Sequence, residues 1–383
     1  MRIGMVTACY KPVINGVTRM VALYRQHLEN FGHEVTIFTL GKPDPAGDDP
    51  GVIRSPGLPL GHTGYYVGVR YTRQAQALLE QMDIIHCHHL FMSVELAHRY
   101  AHCPIVYTNH TRYDLYAAAY TPLSFPATRF ILRQAWPYFS HRANMVIAPS
   151  ASVMQVLLAY GLRTPITVIE NGIDLQPFHH PPRPQNKTSL GIPENATLLV
   201  FVGRLAPEKN IKTLLAQFAQ LHARAALNGQ AVHLLVVGSG PLTRELSALQ
   251  ATYQLDGYVH LAGAAPYESV PNLLAAADLF ITASVSEVHP LTIIEAMAAG
   301  LPVIGVASPG LSDTVISGKT GLLTTTPDTL AEAALPLVLH KAQRQKMSAA
   351  ARQASYRYNI ERTCQLTLKL YKQLLYPTPS YHD

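Results

Sequence analysis

The chain has 383 residues, 48% of them hydrophobic and 14% charged, and 30 Lys and Arg against 24 Asp and Glu leave a net charge of +6. This apolar content supports a large core and excludes a disordered chain, and the length predicts two domains rather than one. The positive excess is small and dispersed, with no Lys/Arg run interleaved with aromatics, so it argues against nucleic acid as a partner and leaves open a basic face toward phosphates or anionic lipid.

The first residues, MRIGMVTACY, lack the basic-then-apolar pattern of a leader. No window reaches the roughly 18 apolar residues of a spanning helix. Cys9, Cys87, Cys103 and Cys364 are scattered without paired spacing. They read as reduced, mostly buried thiols of a cytosolic protein.

In chain order, RIGMVTACY reads as a strand and KPVING as a turn. Val17, Met20, Val21, Tyr24, Leu28 and Phe31 then recur at helical spacing. Gly32 stops that helix, and HEVTIFTL is the next strand. Strand, loop, helix and strand make a unit of a parallel sheet. Further strands are predicted at DIIHCHH, CPIVYTNH, ANMVIAPS and PITVIENG. The Pro-crowded PFHHPPRPQNKTSLGIPEN reads as a linker with an edge structure, because proline cannot donate a backbone hydrogen bond. A second series follows at ATLLVFVGRL, HLLVVGSG, YVHLAG, DLFITAS and PVIGVAS. The expectation is two doubly wound, Rossmann-like α/β domains facing an interdomain cleft. Their ranges are 1–176 and 177–356, with a helical tail over 357–383. Residues 357–375 carry an apolar face at Ile360, Cys364, Leu368 and Tyr371 that suits a helix capping the second domain.

Doubly wound sheets bind ligands at the carboxyl ends of their strands, and the informative residues fall there. In VGRLAPEKN, Arg204 follows a strand and Lys209 opens a helix, a pair suited to a diphosphate. In SVSEVHPLTIIEAMAAG, Glu287 stands in a loop and Glu295 two turns into the next helix. One carboxylate can accept from sugar hydroxyls and the other from a ribose diol. Asn15-Gly16 lets backbone amides approach a phosphate, although it is not a dinucleotide fingerprint. His110, at the end of IVYTNH, can hydrogen-bond a substrate hydroxyl or move a proton. His86, His88 and His89 cluster in IIHCHHLF, but 86 and 88 share one strand face while 89 points elsewhere. A polar strand end is therefore preferred to a metal site.

Together these residues resemble the retaining GT-B glycosyltransferases of family four, over nearly the whole chain. The resemblance rests on NGVTRMVALYRQHLENFGHEVTIFT, VIENGIDLQPF, VGRLAPEKN, SEVHPLTIIEAMAAGLPVIG and SPGLSDTVISGKTGLL. It implies a GT-B fold and an enzyme that moves a hexose from a nucleotide sugar, with no cofactor and no metal. Arg204 and Lys209 would hold the donor diphosphate, Glu287 the sugar hydroxyls and Glu295 the ribose. Gly16 would touch the distal phosphate, His110 would sit by the reacting carbon, and Ala264 and Ala265 would offer backbone groups to the base. His289, Leu291 and Thr292 complete the implied donor contacts. The resemblance makes the first domain acceptor-binding and the second nucleotide-sugar-binding, and it returns the tail helix to the first domain. His289-Pro290 departs from the family pattern of an aromatic or Gln followed by Gly, and Pro290 removes one backbone donor.

NGVTR with YTNHTRYDLY is similar to the subgroup that glycosylates diacylglycerol and related lipids. This implies UDP-glucose as donor and a cytoplasmic protein, peripheral on the inner face of a membrane. TRFILRQAWPYFSHR mixes Phe130, Ile131, Leu132, Trp136, Tyr138 and Phe139 with Arg129, Arg133 and Arg142. It reads either as an anionic-membrane surface, with Arg129, Arg133, Trp136 and Arg142 in contact, or as a buried wall helix. Pro137 argues against one long helix there. The alternatives are a soluble sugar or small alcohol as acceptor, and a non-catalytic sugar-binding protein. A phosphorylase or epimerase on the same architecture is a further rival, and no motif for a pyridoxal-bearing Lys supports it.

Overall fold

The computed structural model describes residues 1–60, 64–115 and 125–377. Two compact units divide the chain. One holds Met1–Gly172 together with the chain from Ile360 onward, and the other is Ile173–Asn359.

The first unit is built on β1 (Arg2–Val6), β2 (Glu34–Leu40), β3 (Val52–Ser55), β6 (Ile84–Cys87), β7 (Ile105–Thr108), β8 (Met145–Ala148) and β9 (Ile166–Val168). They form one sheet in the order β3-β2-β1-β6-β7-β8-β9, all parallel. Between β3 and β6, β4 (Leu58–Pro59) and β5 (Tyr66–Val67) pair antiparallel as a separate ribbon. Every residue of β6 and β7 is buried, as expected of a parallel sheet covered on both faces.

Helix Gly16–Asn30 starts where Asn15 caps it. The Asn15 side chain accepts from Thr18 N, and Thr18 Oγ1 accepts from Asn15 N, so two orphan donors are satisfied reciprocally. Val17, Met20, Val21, Tyr24 and Leu28 are buried, whereas Phe31 lies at the C-cap and is exposed. Helix Phe125–Ser140 runs unbroken through Pro137, contrary to the expectation of an interruption. Pro137 stands in the last turn, where its missing N–H costs one hydrogen bond near an end that frays anyway.

Helix Ile360–Leu375 packs within this first unit, not on the second. Its Thr363 Oγ1 donates to Glu170 O, Thr367 Oγ1 lies 3.3 Å from Tyr24 Oη, and Tyr371 Oη lies 2.6 Å from His86 Nδ1.

The second unit carries β10 (Thr197–Val202), β11 (Val232–Val237), β12 (Val259–Gly263), β13 (Leu279–Ile281), β14 (Val303–Val306) and β15 (Gly321–Thr324). The parallel order is β12-β11-β10-β13-β14-β15. Leu199, Phe201, Phe218, Leu221, Ile281, Ile304 and Leu337 form part of its core. The Pro-rich segment read as a linker belongs to this unit. It forms helix Gln176–His179 and a short turn at Thr188–Leu190. Its backbone bonds to Asn272, and Lys187 pairs with Asp278. Proline removed donors there without removing the anchoring contacts.

Candidate active site

In the second unit, the loops leaving β10 and β13 are stitched together. After β10, a single turn Pro207–Lys209 ends at Asn210, which adopts a left-handed conformation, and helix Ile211–Leu227 begins. Asn210 Nδ2 donates to Ala283 O at 3.1 Å, and Ser286 Oγ donates to Glu208 O at 3.1 Å. These bonds bring Lys209 Nζ to 2.6 Å from Glu287 Oε1. Arg204 reaches Glu208, its Nη2 lying 2.6 Å from Oε1. The predicted cations and the first predicted carboxylate thus share one loop cluster. Glu208, Asn210, Ser284 and Ser286, which hold them there, were not singled out from the sequence.

The loop after β14 completes the cluster. Gly310 has φ +87°, and a Cβ there would meet Val288 O at 2.0 Å, so only glycine lets this loop lie against the Glu287–Val288 backbone. Helix Leu291–Ala298 follows Pro290. Leu291 and Thr292 are its first two residues, whose N–H groups have no intrahelical acceptor. Glu295 lies in this helix and is buried. His289 is also buried and packs edge-on against Tyr358, with burial pushing its imidazole down to about 4. Ala264 and Ala265 sit in the loop directly after β12, Ala264 exposed and Ala265 half-buried.

In the first unit, Gly16 opens its helix beyond β1. Among the described residues nothing beyond its chain neighbours and its own helix lies within 4 Å of where its Cβ would stand. His110 follows β7 and joins the histidines that follow β6. His88 Nδ1 lies 3.1 Å from His110 Nε2, and the two rings stack at 5.3 Å. The His86 ring lies 4.2 Å from that of His88, while His89 turns to β1, its Nδ1 accepting from Ala8 N. Burial pushes His86 down to about 3 and His89 to about 4, and drives His88 and His110 well below the ordinary value. Among the described residues no group of three or more His, Cys, Asp or Glu is arranged to hold a metal ion.

The thiols of Cys9, Cys87 and Cys364 are buried and unbridged. Burial pushes Cys9 up to about 11 and Cys364 up to about 12.

Two of the four residues proposed to face a membrane do not lie on a free surface. Trp136 is 0% exposed, its ring packed against Tyr113 and Tyr160. Arg142 is largely covered, pairing with Glu95 and lying over the Tyr138 ring. Arg129 and Arg133 remain exposed beside Phe130 and Ile131. No described helix is long and apolar enough to cross a membrane.

The profile described as Glycosyltransferase Family 4 matches residues 14–177, and that described as Glycosyl transferases group 1 matches 182–354. The alpha-monoglucosyldiacylglycerol synthase of Streptococcus pneumoniae (strain ATCC BAA-255 / R6) is 30% identical over 344 residues, covering 84% of this chain and 75% of that protein. The chain belongs to the family-four glycosyltransferases. The GDP-mannose-dependent alpha-mannosyltransferase of Mycolicibacterium smegmatis (strain ATCC 700084 / mc(2)155) is 30% identical over 375 residues, 92% of each chain. Among solved structures, Anabaena HepE in complex with UDP-glucose is 20% identical, with a TM-score of 0.78 over 98% of this chain and 100% of that one. That likeness gives the fold, which is GT-B. The family-four glycosyltransferase described here is therefore a hexosyltransferase that uses a nucleotide sugar.

Proposed function

We propose that the enzyme transfers glucose from UDP-glucose, with retention of configuration, to the hydroxyl of a membrane lipid such as diacylglycerol. The observation that carries the donor half is the stitched loop cluster of Arg204, Lys209 and Glu287. Arg204 and Lys209 are assigned to the diphosphate, with the free N–H groups of Leu291 and Thr292 beside it. Glu287 takes the sugar hydroxyls and Glu295 the ribose diol. Ala264 and Ala265 serve the base. His289 is assigned to shaping the donor pocket, its ring packed edge-on against Tyr358. Gly16 and His110 are assigned to the distal phosphate and the sugar.

The bond from the anomeric carbon to the diphosphate oxygen breaks, and the bond to the acceptor oxygen forms on the same face. The acceptor's proton passes to a diphosphate oxygen, which leaves with the UDP. The protein acts by positioning the reactants and by stabilising the leaving diphosphate.

The lipid acceptor is supported by relatives named alpha-monoglucosyldiacylglycerol synthase and by the exposed Arg129, Phe130, Ile131 and Arg133 on one helix. Basic and apolar groups together suit the interface of an anionic, cytoplasmic leaflet. A calorimetric donor panel with UDP-glucose, UDP-galactose and GDP-mannose, followed by an acceptor screen, tests the reading. UDP release dependent on diacylglycerol is expected. Preference for GDP-mannose would overturn the donor, and transfer only to soluble sugars would overturn the acceptor. No turnover with any pair would point to a binding protein.

A further inference from the structure

We infer that His88 fixes the tautomer of His110, placing the hydrogen on His110 Nδ1, so that His110 meets its substrate as a hydrogen-bond donor and not as a base. The inference deepens the proposed function and rests on its assignment of His110 to the substrate.

The nitrogens facing one another, His88 Nδ1 and His110 Nε2, are 3.1 Å apart. Two bare nitrogens would repel at that distance and two N–H groups would collide, so a single hydrogen lies between them. Which ring owns it follows from the other side of His88. That ring is buried, and its Nε2 has no hydrogen-bond partner among the described residues. His86, whose ring lies closest, offers nothing, because its two nitrogens are engaged by hydroxyls. Thr108 Oγ1 lies 2.6 Å from Nε2, and Tyr371 Oη lies 2.6 Å from Nδ1. Tyr24 approaches His86 and His88 with its ring, while its hydroxyl lies by Thr367.

A hydrogen on His88 Nε2 would therefore be a buried donor with no acceptor among the described residues. A bare Nε2 there is the lesser loss, since orphaned buried N–H groups are the rarer kind. The hydrogen of His88 accordingly sits on Nδ1 and is donated to His110 Nε2. His110, kept neutral by burial and by its histidine neighbours, then carries its own hydrogen on Nδ1. Neutral histidine in water prefers the opposite arrangement, with hydrogen on Nε2. His88 is thus a positioning residue that reverses an ordinary preference. An Nδ1–H can donate to a hydroxyl oxygen of the sugar but cannot take the acceptor's proton. That proton then goes to the leaving diphosphate, as the reaction above requires.

The test is long-range imidazole nitrogen NMR on protein labelled with 15N-histidine, with the His110 signals assigned by their loss in His110→Asn. In the unaltered protein His110 should show a protonated Nδ1 and a bare Nε2. His88→Leu should move His110 toward the Nε2–H form and lower kcat on the order of tenfold, as loss of an orienting partner commonly does. In His88→Asn, the side-chain amide can place an N–H where Nδ1–H stood, and it should restore both the tautomer and most of kcat. A hydrogen on Nε2 of His110 in the unaltered protein overturns the inference, and so does an unchanged tautomer in His88→Leu. If His88→Leu does not fold, the unaltered protein's spectrum still decides. The spectrum needs no turnover. The expected tautomer in a protein that transfers no sugar would sink the proposed function alone, and an active enzyme with the opposite tautomer would sink this inference alone.

Discussion

Lys209 and Glu287 neutralise one another at 2.6 Å, and Arg204 does the same with Glu208. The cations assigned to the diphosphate are thus oriented by carboxylates before donor arrives. Lys209→Ala and Arg204→Ala should each lower kcat roughly 100- to 1,000-fold, the scale seen when one group stabilising a developing negative charge is removed. Acceptor-dependent UDP release measures it, and normal turnover in both variants would refute the assignment. The buried histidines give a second expectation. His86 is held at about 3 and His89 and His289 at about 4, against an ordinary value of 6.5, with only Asp313 opposing the shift at His289. As pH falls, the unfolded chain takes up these protons first. The stability they confer is therefore complete above about pH 6.5 and drains toward pH 4 for His89 and His289 and toward pH 3 for His86. Each accounts for about 2 kcal/mol lost by pH 5. Thermal melts should fall steeply from pH 6.5 to 5, and His89→Asn should flatten the slope. The positions of Arg204, Lys209, Glu287 and His110 were legible because each follows a strand at a carboxyl end, and the cluster that holds His88 was legible as a polar strand end. Glu208, Ser286 and the pairing of His88 with His110 were not, because they depend on neighbours that only the fold supplies.

At the scale of elements, the strands were readable and the faces less so. Thr128, Leu132, Trp136 and Ser140 are all buried at a spacing of four, and Arg129 and Arg133 ride the exposed side. Composition had grouped Trp136 with the arginines, whereas periodicity separates them. The short β3 and the β4–β5 ribbon carry too few residues to show an alternating pattern. The corrected surface makes a narrower prediction. Arg129→Glu with Arg133→Glu should weaken binding to phosphatidylglycerol-containing vesicles at least about 30-fold, taking about 1 kcal/mol per basic residue lost. Donor affinity should not change, and high salt should mimic the variant in the parent protein. Failure of the parent protein to bind such vesicles at low salt would remove the physical support for a lipid acceptor.

At the scale of the whole molecule, the second unit is inserted into the first. The chain leaves the first unit after Gly172 and re-enters it at Ile360. A Cβ on Gly172 would lie 2.6 Å from Ile360 Cα and 2.6 Å from Thr363 Oγ1, so the outgoing and returning segments touch only because residue 172 has no side chain. Gly172→Ala should cost about 1–3 kcal/mol, as insertion of an extra carbon into close packing does, with the loss confined to the first unit's transition in a two-step melt. A full-length melt unchanged from the parent protein would refute it. Sequence patterns revealed two series of strands. They could not reveal which series owned the tail, because its apolar stripe fits either sheet until Tyr371 is seen beside His86.

The insertion also sets an order of events during synthesis. Tyr24 and His86 are made early, but their partners Thr367 and Tyr371 emerge only after all of Ile173–Asn359 has been translated. At roughly 5–20 residues per second that is a wait of roughly 10–40 s. Throughout it the first unit exposes the apolar face of Gly16–Asn30 that Ile360–Leu375 will cover. The second unit, contiguous in the chain, can close first. On the ribosome this protein can finish its middle before its beginning, and its first half waits with that apolar face uncovered until the returning helix arrives.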